Sequence, residues 1–408
     1  AVAQSRISAY LISEQGIAET RKVMDETIRS NSSDMLLLQL YSWFLREVKD
    51  YDKALEVYTT IDNLAGSNGR EILAFADLAR REGYYEPAMR AYSVLVQKGK
   101  DNPFAMTAMF GYARTMELRM RNGVKLGKDE LKKIVELYRT IIENYPNTEF
   151  AAESYYNIAA LYANELGDVD EAIEQYQKLL TTYSSMNIAA SGGVRLGLLY
   201  LQQNQMEKAQ ETFTMVKGTF NSNTPARDAA LFHLAHIAYY AGNLDSAKEQ
   251  FGRLVINTND DIANDALTMI ALLEDNKEEA EQKALRDFAQ AELKEFQKNF
   301  NGAIELYAKA AAAAPAAPLA ERCFFRMGTL ELNRNNNESA RNYFTTLMQK
   351  YPQTIYGDEA LLAIGDSYAA ESNIPEAIKI YTELLEKYPR STRLTEARLK
   401  IRKLRGDA

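Results

Sequence analysis

The hydrophobic positions of this chain recur at the spacing of α-helices. Apolar residues stand at i, i+3, i+4 and i+7 along most of the 408 residues, and strand-like alternation is almost absent. Within this pattern one unit repeats, a small residue followed four positions later by an aromatic ring, which places both on one helix face. The clear copies are Ala54…Tyr58, Ala88…Tyr92, Ala172…Tyr176, Ala209…Phe213, Ala247…Phe251, Ala303…Tyr307, Ala340…Phe344 and Ala377…Tyr381, with Ile134…Tyr138 as a variant and Ala18 as a degenerate first copy.

The copies follow one another at intervals of 34 to 38 residues, apart from one interval of 46 and one of 56. A turn such as Gly167-Asp168-Val169-Asp170-Glu171 precedes most of them, in which Gly or Asn ends one helix in a left-handed conformation and Asp caps the next. The helix before this turn has an apolar residue followed by Gly or Ala, as in Leu196-Gly197 and Ile364-Gly365, where a larger side chain would block the crossing of two helices. Each unit is therefore predicted to be a helix, a tight turn and a second helix.

These residues resemble the tetratricopeptide repeat family, whose 34-residue pattern has Leu-Gly in its first helix and Ala-x-x-x-Phe/Tyr in its second. The resemblance is strong over 150–255 and 319–390, and weaker before residue 35 and across 257–300. It implies an all-α fold, a right-handed superhelical α–α solenoid of about nine to ten helix hairpins. Several repeats end in Tyr-Pro and restart with a Ser or Thr cap, as in Tyr351-Pro352-Gln353-Thr354. This form is similar to bacterial cell-envelope tetratricopeptide proteins, such as the periplasmic partner of the Tol–Pal system and the lipoprotein of the outer-membrane barrel-assembly machine.

Two intervals break the rhythm of the repeats. About ten extra residues between Ala88 and Ile134 predict a lengthened helix pair, joined by a loop at 122–128. About twenty extra residues before Ala303 predict a helix from Ile262 to Leu273 and a long charged helix from Glu278 to Lys298. We therefore expect an N-terminal solenoid segment at 1–256, an irregular helical bend at 257–300, and a C-terminal segment at 301–408 that ends in a basic capping helix.

Charge and composition narrow the classes of function. The net charge is −8, from 48 basic and 56 acidic residues, which argues against broad nucleic-acid binding. No apolar run approaches the roughly 18–20 residues that a membrane span needs. Nothing in the pattern supports contact with a membrane surface, although the basic last helix would be compatible with one. The single cysteine, Cys323, excludes an intramolecular disulfide and a cysteine-rich zinc site.

Few residues offer chemistry for catalysis or for a metal. The two histidines, His233 and His236, lie three apart on one predicted helix, but no cysteine or third histidine is near them, and zinc sites use three or four protein ligands. We therefore interpret the two histidines as residues that pack in the core or line a groove, and not as metal ligands. The segment from Gly123 to Lys128 has one residue too few between its glycines for a phosphate-binding loop, and Asp129 stands where Ser or Thr is needed. We predict no catalytic, cofactor or metal site, and therefore a protein that is not an enzyme.

The resemblance implies a surface for other proteins instead, because stacked repeats of this family present a groove lined by their first helices. Trp43, the single tryptophan, is the leading candidate, since large aromatic side chains dominate protein interfaces. Its alternative is packing between repeats. The family pattern places at groove positions Trp43, Phe232, His236, Tyr239, Phe325, Thr329 and Asp366.

The predicted function is a scaffold or adaptor that holds peptide or protein segments along this groove, without catalysis. The repeat form favours the periplasm or cell envelope, with the cytoplasm as the alternative. Two other functions stay open from sequence: a structural subunit packed permanently in a larger complex, and a recruiting region of a larger protein.

Overall fold

The computed structural model describes residues 2–220, 224–255 and 261–407, and in these ranges the chain forms helices and turns without a β-strand. Contacts between Cα atoms divide the chain into two compact units, Ala1–Gly192 and Gly193–Ala408. The division therefore falls at 192/193, not at the two boundaries that flank the predicted bend at 257–300. Residues 257–260 of that bend lie outside the described residues.

The first unit is a succession of helices joined by short turns. After α9 the backbone continues through one π-helical segment, Tyr162–Leu166. The helices are α1 Val2–Ser8, α2 Glu14–Ser30, α3 Met35–Glu47, α4 Tyr51–Ala65, α5 Arg70–Arg81, α6 Tyr85–Gln97, α7 Ala105–Arg121, α8 Lys128–Asn144, α9 Glu149–Leu161 and α10 Val169–Thr182.

The second unit has the same organisation, and α11, Asn187–Gln202, runs across the boundary between the two. Most helices for which contacts are resolved pack mainly against a neighbour in the chain, as α16 does against α17 and α18 against α19. The remaining helices are α12 Met206–Thr219, α13 Thr224–Tyr240, α14 Leu244–Gly252, α15 Asp261–Glu274, α16 Glu279–Phe296, α17 Phe300–Ala313, α18 Pro318–Asn333, α19 Asn337–Lys350, α20 Gly357–Ala370, α21 Ile374–Lys387 and α22 Leu394–Arg405.

Several turns inside the helix pairs contain the predicted left-handed residue and side-chain cap. Gly167 has a φ of 73° before the cap Asp168, whose side chain accepts a hydrogen bond from the Glu171 N–H at 3.1 Å. Lys49 also adopts a positive φ, 60°, before the cap Asp50. In these two pairs a left-handed residue followed by a side-chain cap ends the first helix and starts the second, whether or not that residue is glycine. Four other second helices begin without a side-chain cap hydrogen bond, at the cap residues Tyr84, Gln205, Asn243 and Asn336.

In the pairs α11–α12, α18–α19 and α20–α21 the small residue of the first helix lies against the ring sixteen positions later in the second. A Cβ atom on Gly365 would lie 2.3 Å from the ring of Tyr381, and one on Gly197 would lie 2.5 Å from the ring of Phe213. The alanine that precedes each ring by four is fully buried in all eight clear copies. The rings are also buried, except Tyr58, which is partly exposed. The predicted helix crossing is confirmed.

Both irregular intervals contain the helices that the sequence predicts. The first holds α7 and α8, each 17 residues long. In the second, α15 is an unpaired helix between the pair α13–α14 and the pair α16–α17. One continuous core cluster extends from Ala235 to Leu330 and includes residues of α15 and α16. Residues 261–300 are therefore an integral part of the second unit, because their apolar side chains join the core on both sides.

Filling the space at a crossing glycine should destabilise the chain. Gly365→Leu and Gly197→Leu must displace the ring of Tyr381 or Phe213, and we expect each to lower the free energy of unfolding by about 1–3 kcal/mol or more. Urea denaturation followed by circular dichroism measures this. The matched control is Gly218→Leu, in α12, where a Cβ atom meets nothing within 4 Å. Unfolding midpoints of the crossing variants at or above that of the control would contradict the assignment.

Candidate functional site

The second unit contains a cleft of about 180 Å³ between helices α11, α13 and α16. Its walls are mostly apolar or aromatic, and two of the predicted groove residues, Phe232 and His236, lie in it. We call it the aromatic cleft. It is lined by Leu198, Leu201, Phe232, His233, His236, Tyr240 and Phe296.

The end of α16 closes one side of the aromatic cleft. The Gln297 side chain, just after α16, donates hydrogen bonds to the Leu201 carbonyl at 3.2 Å and to Asn204 Oδ1 at 2.9 Å. These bonds join residues 96 and 93 positions apart. They hold Phe296, which is 39% exposed, beside the end of α11.

The rings on α13 form a packed layer under the cleft. The centroids of Phe232 and His236 are 4.6 Å apart in an edge-to-face arrangement, and His236 lies 5.1 Å from Phe251 at an interplanar angle of 83°. His233 stacks on Phe213 at 5.1 Å. Edge-to-face and offset stacked pairs are the favoured geometries of aromatic rings, so this layer is well ordered.

The imidazole of His236 carries an unsatisfied nitrogen. Nδ1 is buried and has no hydrogen-bond partner among the described residues. Its repeat position explains this. The equivalent residue after the small crossing residue is Asp366 on α20, where it accepts the hydroxyl of Tyr381 at 2.6 Å. In the pair α13–α14 the ring is Phe251, which has no hydroxyl to offer.

Burial keeps both histidines neutral at physiological pH. It lowers the pKa of His236 from 6.5 to about 3, helped by the charge of His233, and the pKa of His233 to about 4, helped by Arg195. Burial likewise raises the pKa of Tyr240 well above its usual value. A neutral imidazole has one donor and one acceptor nitrogen, so the cleft offers an apolar surface and a hydrogen bond. It does not offer an acid–base pair at neutral pH.

Tyr239, predicted for the groove, belongs to the core instead. Its side chain is fully buried, and its hydroxyl donates to Glu292 Oε2 on α16 at 2.9 Å. Burial also raises the pKa of Glu292. Because α16 packs over this side of α13, the residue has no surface to present to a partner.

The other predicted residues lie apart from the aromatic cleft. Trp43 is half-buried in the first unit, packed against the core that contains Leu38 to Ala108. On α18, the ring of Phe325 stacks on Tyr356 at 4.7 Å, and the Thr329 hydroxyl donates to the Phe325 carbonyl at 2.9 Å. Asp366 binds Lys400 Nζ at 2.6 Å. That these residues contact a partner stays a prediction.

Five cleft residues were not predicted for the groove: Leu198, Leu201, His233, Tyr240 and Phe296. Leu198 stands at the same repeat position as His236, directly after a crossing residue, so the family pattern could have included it. Phe296 had no such signal, because its place depends on where the end of α16 meets α11.

Three of the helix pairs match a known protein family. The family model for the tetratricopeptide repeat matches residues 153–185, 322–354 and 359–391. These ranges cover the pairs α9–α10, α18–α19 and α20–α21. This chain contains tetratricopeptide repeats. Repeats of this family generally serve as scaffolds for protein–protein interaction and are generally not catalytic.

Solved structures of tetratricopeptide repeat proteins are similar to the chain only at a low level. A protein from Parabacteroides merdae ATCC 43184 is 15% identical, with a TM-score of 0.41, over 73% of this chain and 99% of its own. Yeast Tom70 is 14% identical, with a TM-score of 0.33, over 98% and 94%. The P58(IPK) tetratricopeptide repeat domain is 14% identical, with a TM-score of 0.26, over 91% and 98%. No curated protein matches the chain.

Neither a metal site nor a membrane-spanning helix occurs among the described residues. They contain no group of three or more His, Cys, Asp or Glu side chains arranged to hold a metal ion. In the same ranges, every helix is too short or too polar to cross a membrane.

The neutral histidines should make stability depend on pH. The unfolded chain protonates them near pH 6.5, whereas the folded chain does so only near pH 4 or below, so the unfolded state binds more protons in between. We therefore expect stability to fall as the pH drops below 6.5, by up to about 1.4 kcal/mol per pH unit for each imidazole. Urea titrations between pH 7 and 5 on the wild type and His236→Gln measure this. Parallel curves for the two proteins would contradict it.

Proposed function

We propose that this chain is a non-catalytic protein-binding scaffold, and that the aromatic cleft receives a large apolar side chain from a partner polypeptide. One observation carries the proposal. The cleft is an aromatic pocket with a buried imidazole nitrogen that no described residue satisfies. Such pockets, apolar with one placed polar group, are the usual form of binding sites, and interface energy concentrates in them.

The size and rigidity of the cleft favour one anchored side chain over a broad surface. About 180 Å³ is enough for an aromatic or branched aliphatic group. The edge-to-face ring layer beneath it and the Gln297 hydrogen bonds at its edge are contacts between residues of the chain itself, so they fix the walls of the pocket. A preformed pocket loses little conformational entropy on binding, so affinity is gained from the area that the guest buries.

Filling the cleft should abolish binding of such a guest. We expect peptides selected from a displayed random 12-residue library against the wild type to share a large apolar residue. The selected peptides should bind Leu198→Trp at least tenfold more weakly in fluorescence polarisation, because the new indole occupies the space of the guest. The control is Leu399→Trp, at a residue of α22 that is 59% exposed.

Two results would contradict the proposal. One is the absence of any enriched peptide, and the other is equal affinity of the selected peptides for the wild type and Leu198→Trp. Circular dichroism melts of both variants separate loss of binding from loss of folding.

We also propose that the scaffold works in the bacterial cell envelope, on the strength of its Tyr-Pro-x-Ser/Thr repeat ends, such as Tyr351-Pro352-Gln353-Thr354. The test is immunodetection in fractionated cells of the native organism, with marker proteins for each fraction. Recovery with the periplasmic and envelope markers is expected, and recovery with the cytoplasmic marker alone would refute this location.

A further inference from the structure

A second cleft of the second unit lies between α15, the first turns of α18 and Tyr356, which precedes α20. It encloses about 250 Å³. Unlike the aromatic cleft it has charged and amide groups in its walls, among them Asp275, Asn276 and Arg322. We call it the polar cleft.

Asn276 supplies a buried acceptor without a donor. Its side chain is part of a residue that is only 4% exposed, and its Nδ2 donates to the Leu272 carbonyl at 2.8 Å. The other side-chain atom, Oδ1, is buried and has no partner among the described residues. A buried acceptor left unsatisfied costs about 1–3 kcal/mol. The cleft therefore favours a ligand that brings an N–H group to this oxygen.

Arg322 supplies a positive charge that is not neutralised by an ion pair. Its guanidinium lies 5.4 Å from the Phe288 ring centroid, and within the described ranges it forms no salt bridge and no hydrogen bond. An arginine fork is suited to a planar carboxylate. The cleft therefore also favours an anion.

The start of α18 adds to this preference. Pro318 and Leu319, in its first turn, line the cleft. Pro318 has no N–H and the Ala320 N–H donates to the Ala317 carbonyl at 2.9 Å, so the Leu319 N–H is the group for which the cap residue Ala317 supplies no side-chain acceptor. The N-terminus of a helix carries a partial positive charge that stabilises an anion.

From these three features we propose that the polar cleft binds an aspartate or glutamate side chain of an extended peptide. The carboxylate lies against Arg322 and the start of α18, and the backbone N–H beside it donates to Asn276 Oδ1. Sulfate carries a charge but no hydrogen-bond donor at neutral pH, so it satisfies only half of the site. Asp275, exposed at the rim, adds a negative charge that disfavours polyanions.

This site is separate from the aromatic cleft, and it shares with the proposed function only the premise that the ligand is a polypeptide. Phe325, predicted for the groove, acquires an indirect place here, because its ring stacks on Tyr356 and so supports one wall of the cleft.

The test uses a minimal probe, N-acetyl-aspartate N-methylamide, titrated into the full chain labelled with ¹⁵N-arginine. We expect a saturable shift of the Arg322 side-chain signal. The matched compound, N-acetyl-asparagine N-methylamide, has the same shape and N–H groups without the charge, and should bind at least tenfold more weakly. Inorganic sulfate, an anion without a hydrogen-bond donor, should also bind at least tenfold more weakly than the aspartate compound.

Three variants locate the site, with binding of the aspartate compound followed by calorimetry. Arg322→Gln and Asn276→Leu should each weaken it at least tenfold. Arg402→Gln is the control, because Arg402 is exposed on α22 and forms no salt bridge with any described residue. Leu198→Trp should bind the aspartate compound normally even where it has lost the displayed peptides, which separates this proposal from that of the aromatic cleft.

Each opposite result would overturn the proposal. Equal binding of the aspartate and asparagine compounds would remove the role of charge, and equal binding of sulfate would remove the role of Asn276. Unchanged affinity in Arg322→Gln, or no binding of the aspartate compound to the wild type, would exclude the site itself. Arg322 forms no hydrogen bond with any described residue, and its contact with the fold in these ranges includes the Phe288 ring. A circular dichroism melt of Arg322→Gln therefore separates loss of binding from loss of folding.

Discussion

The pairs α11–α12, α18–α19 and α20–α21 depend on one contact, in which a ring from the second helix of a pair covers a glycine of the first. At Gly365 the ring of Tyr381 is so close that a single Cβ atom would lie 2.3 Å from it. Helices of 12 to 18 residues, such as α5 and α16, are marginal alone in water, so their stability comes from packing of their apolar faces. The contact sets how closely the two helices of a pair approach each other. This distance in turn determines how the next pair packs against them.

The polar end of the ring introduces variation into this repeated contact. In two pairs with a tyrosine ring, a carboxylate on the first helix accepts a hydrogen bond from the tyrosine hydroxyl: Asp77 from Tyr92 at 2.6 Å, and Glu117 from Tyr138 at 2.7 Å. Where the ring is phenylalanine, the hydroxyl is absent and the position need not be acidic. His236 opposite Phe251 is such a case, and its nitrogen is left without a partner. A polar residue at this position opposite phenylalanine either finds another partner, as Thr329 does at the Phe325 carbonyl, or is left unsatisfied.

The fold was largely predictable from sequence because its contacts are local. A pair of helices, its turn and its ring lie within about forty residues, and spacing alone identifies them. The candidate site was less predictable. Phe232 and His236 were found from their repeat positions, but the wall at Phe296 depends on hydrogen bonds from Gln297 to residues 93 and 96 positions away. The prediction that Tyr239 lies in the groove failed for the same reason, a contact between residues far apart in sequence. Periodicity indicates which face of α13 is apolar, whereas the helix that covers it, α16, follows an interval of irregular length.

The unpaired helix α15 explains why both clefts occur in the second unit near this interval. In a regular array each helix pair is covered by the next, which is placed at a fixed distance by the same contact. Here α15 intervenes before the pair α16–α17. The end of α16 then meets α11 at Gln297 and borders the aromatic cleft, while α15 itself forms a wall of the polar cleft. Since the core remains continuous through Leu272 and Phe288, the irregularity leaves the packing intact. The extra helix α15 packs into the core but does not belong to a repeated pair. It therefore gives the stack of helix pairs two local clefts that repetition of the pair alone does not produce.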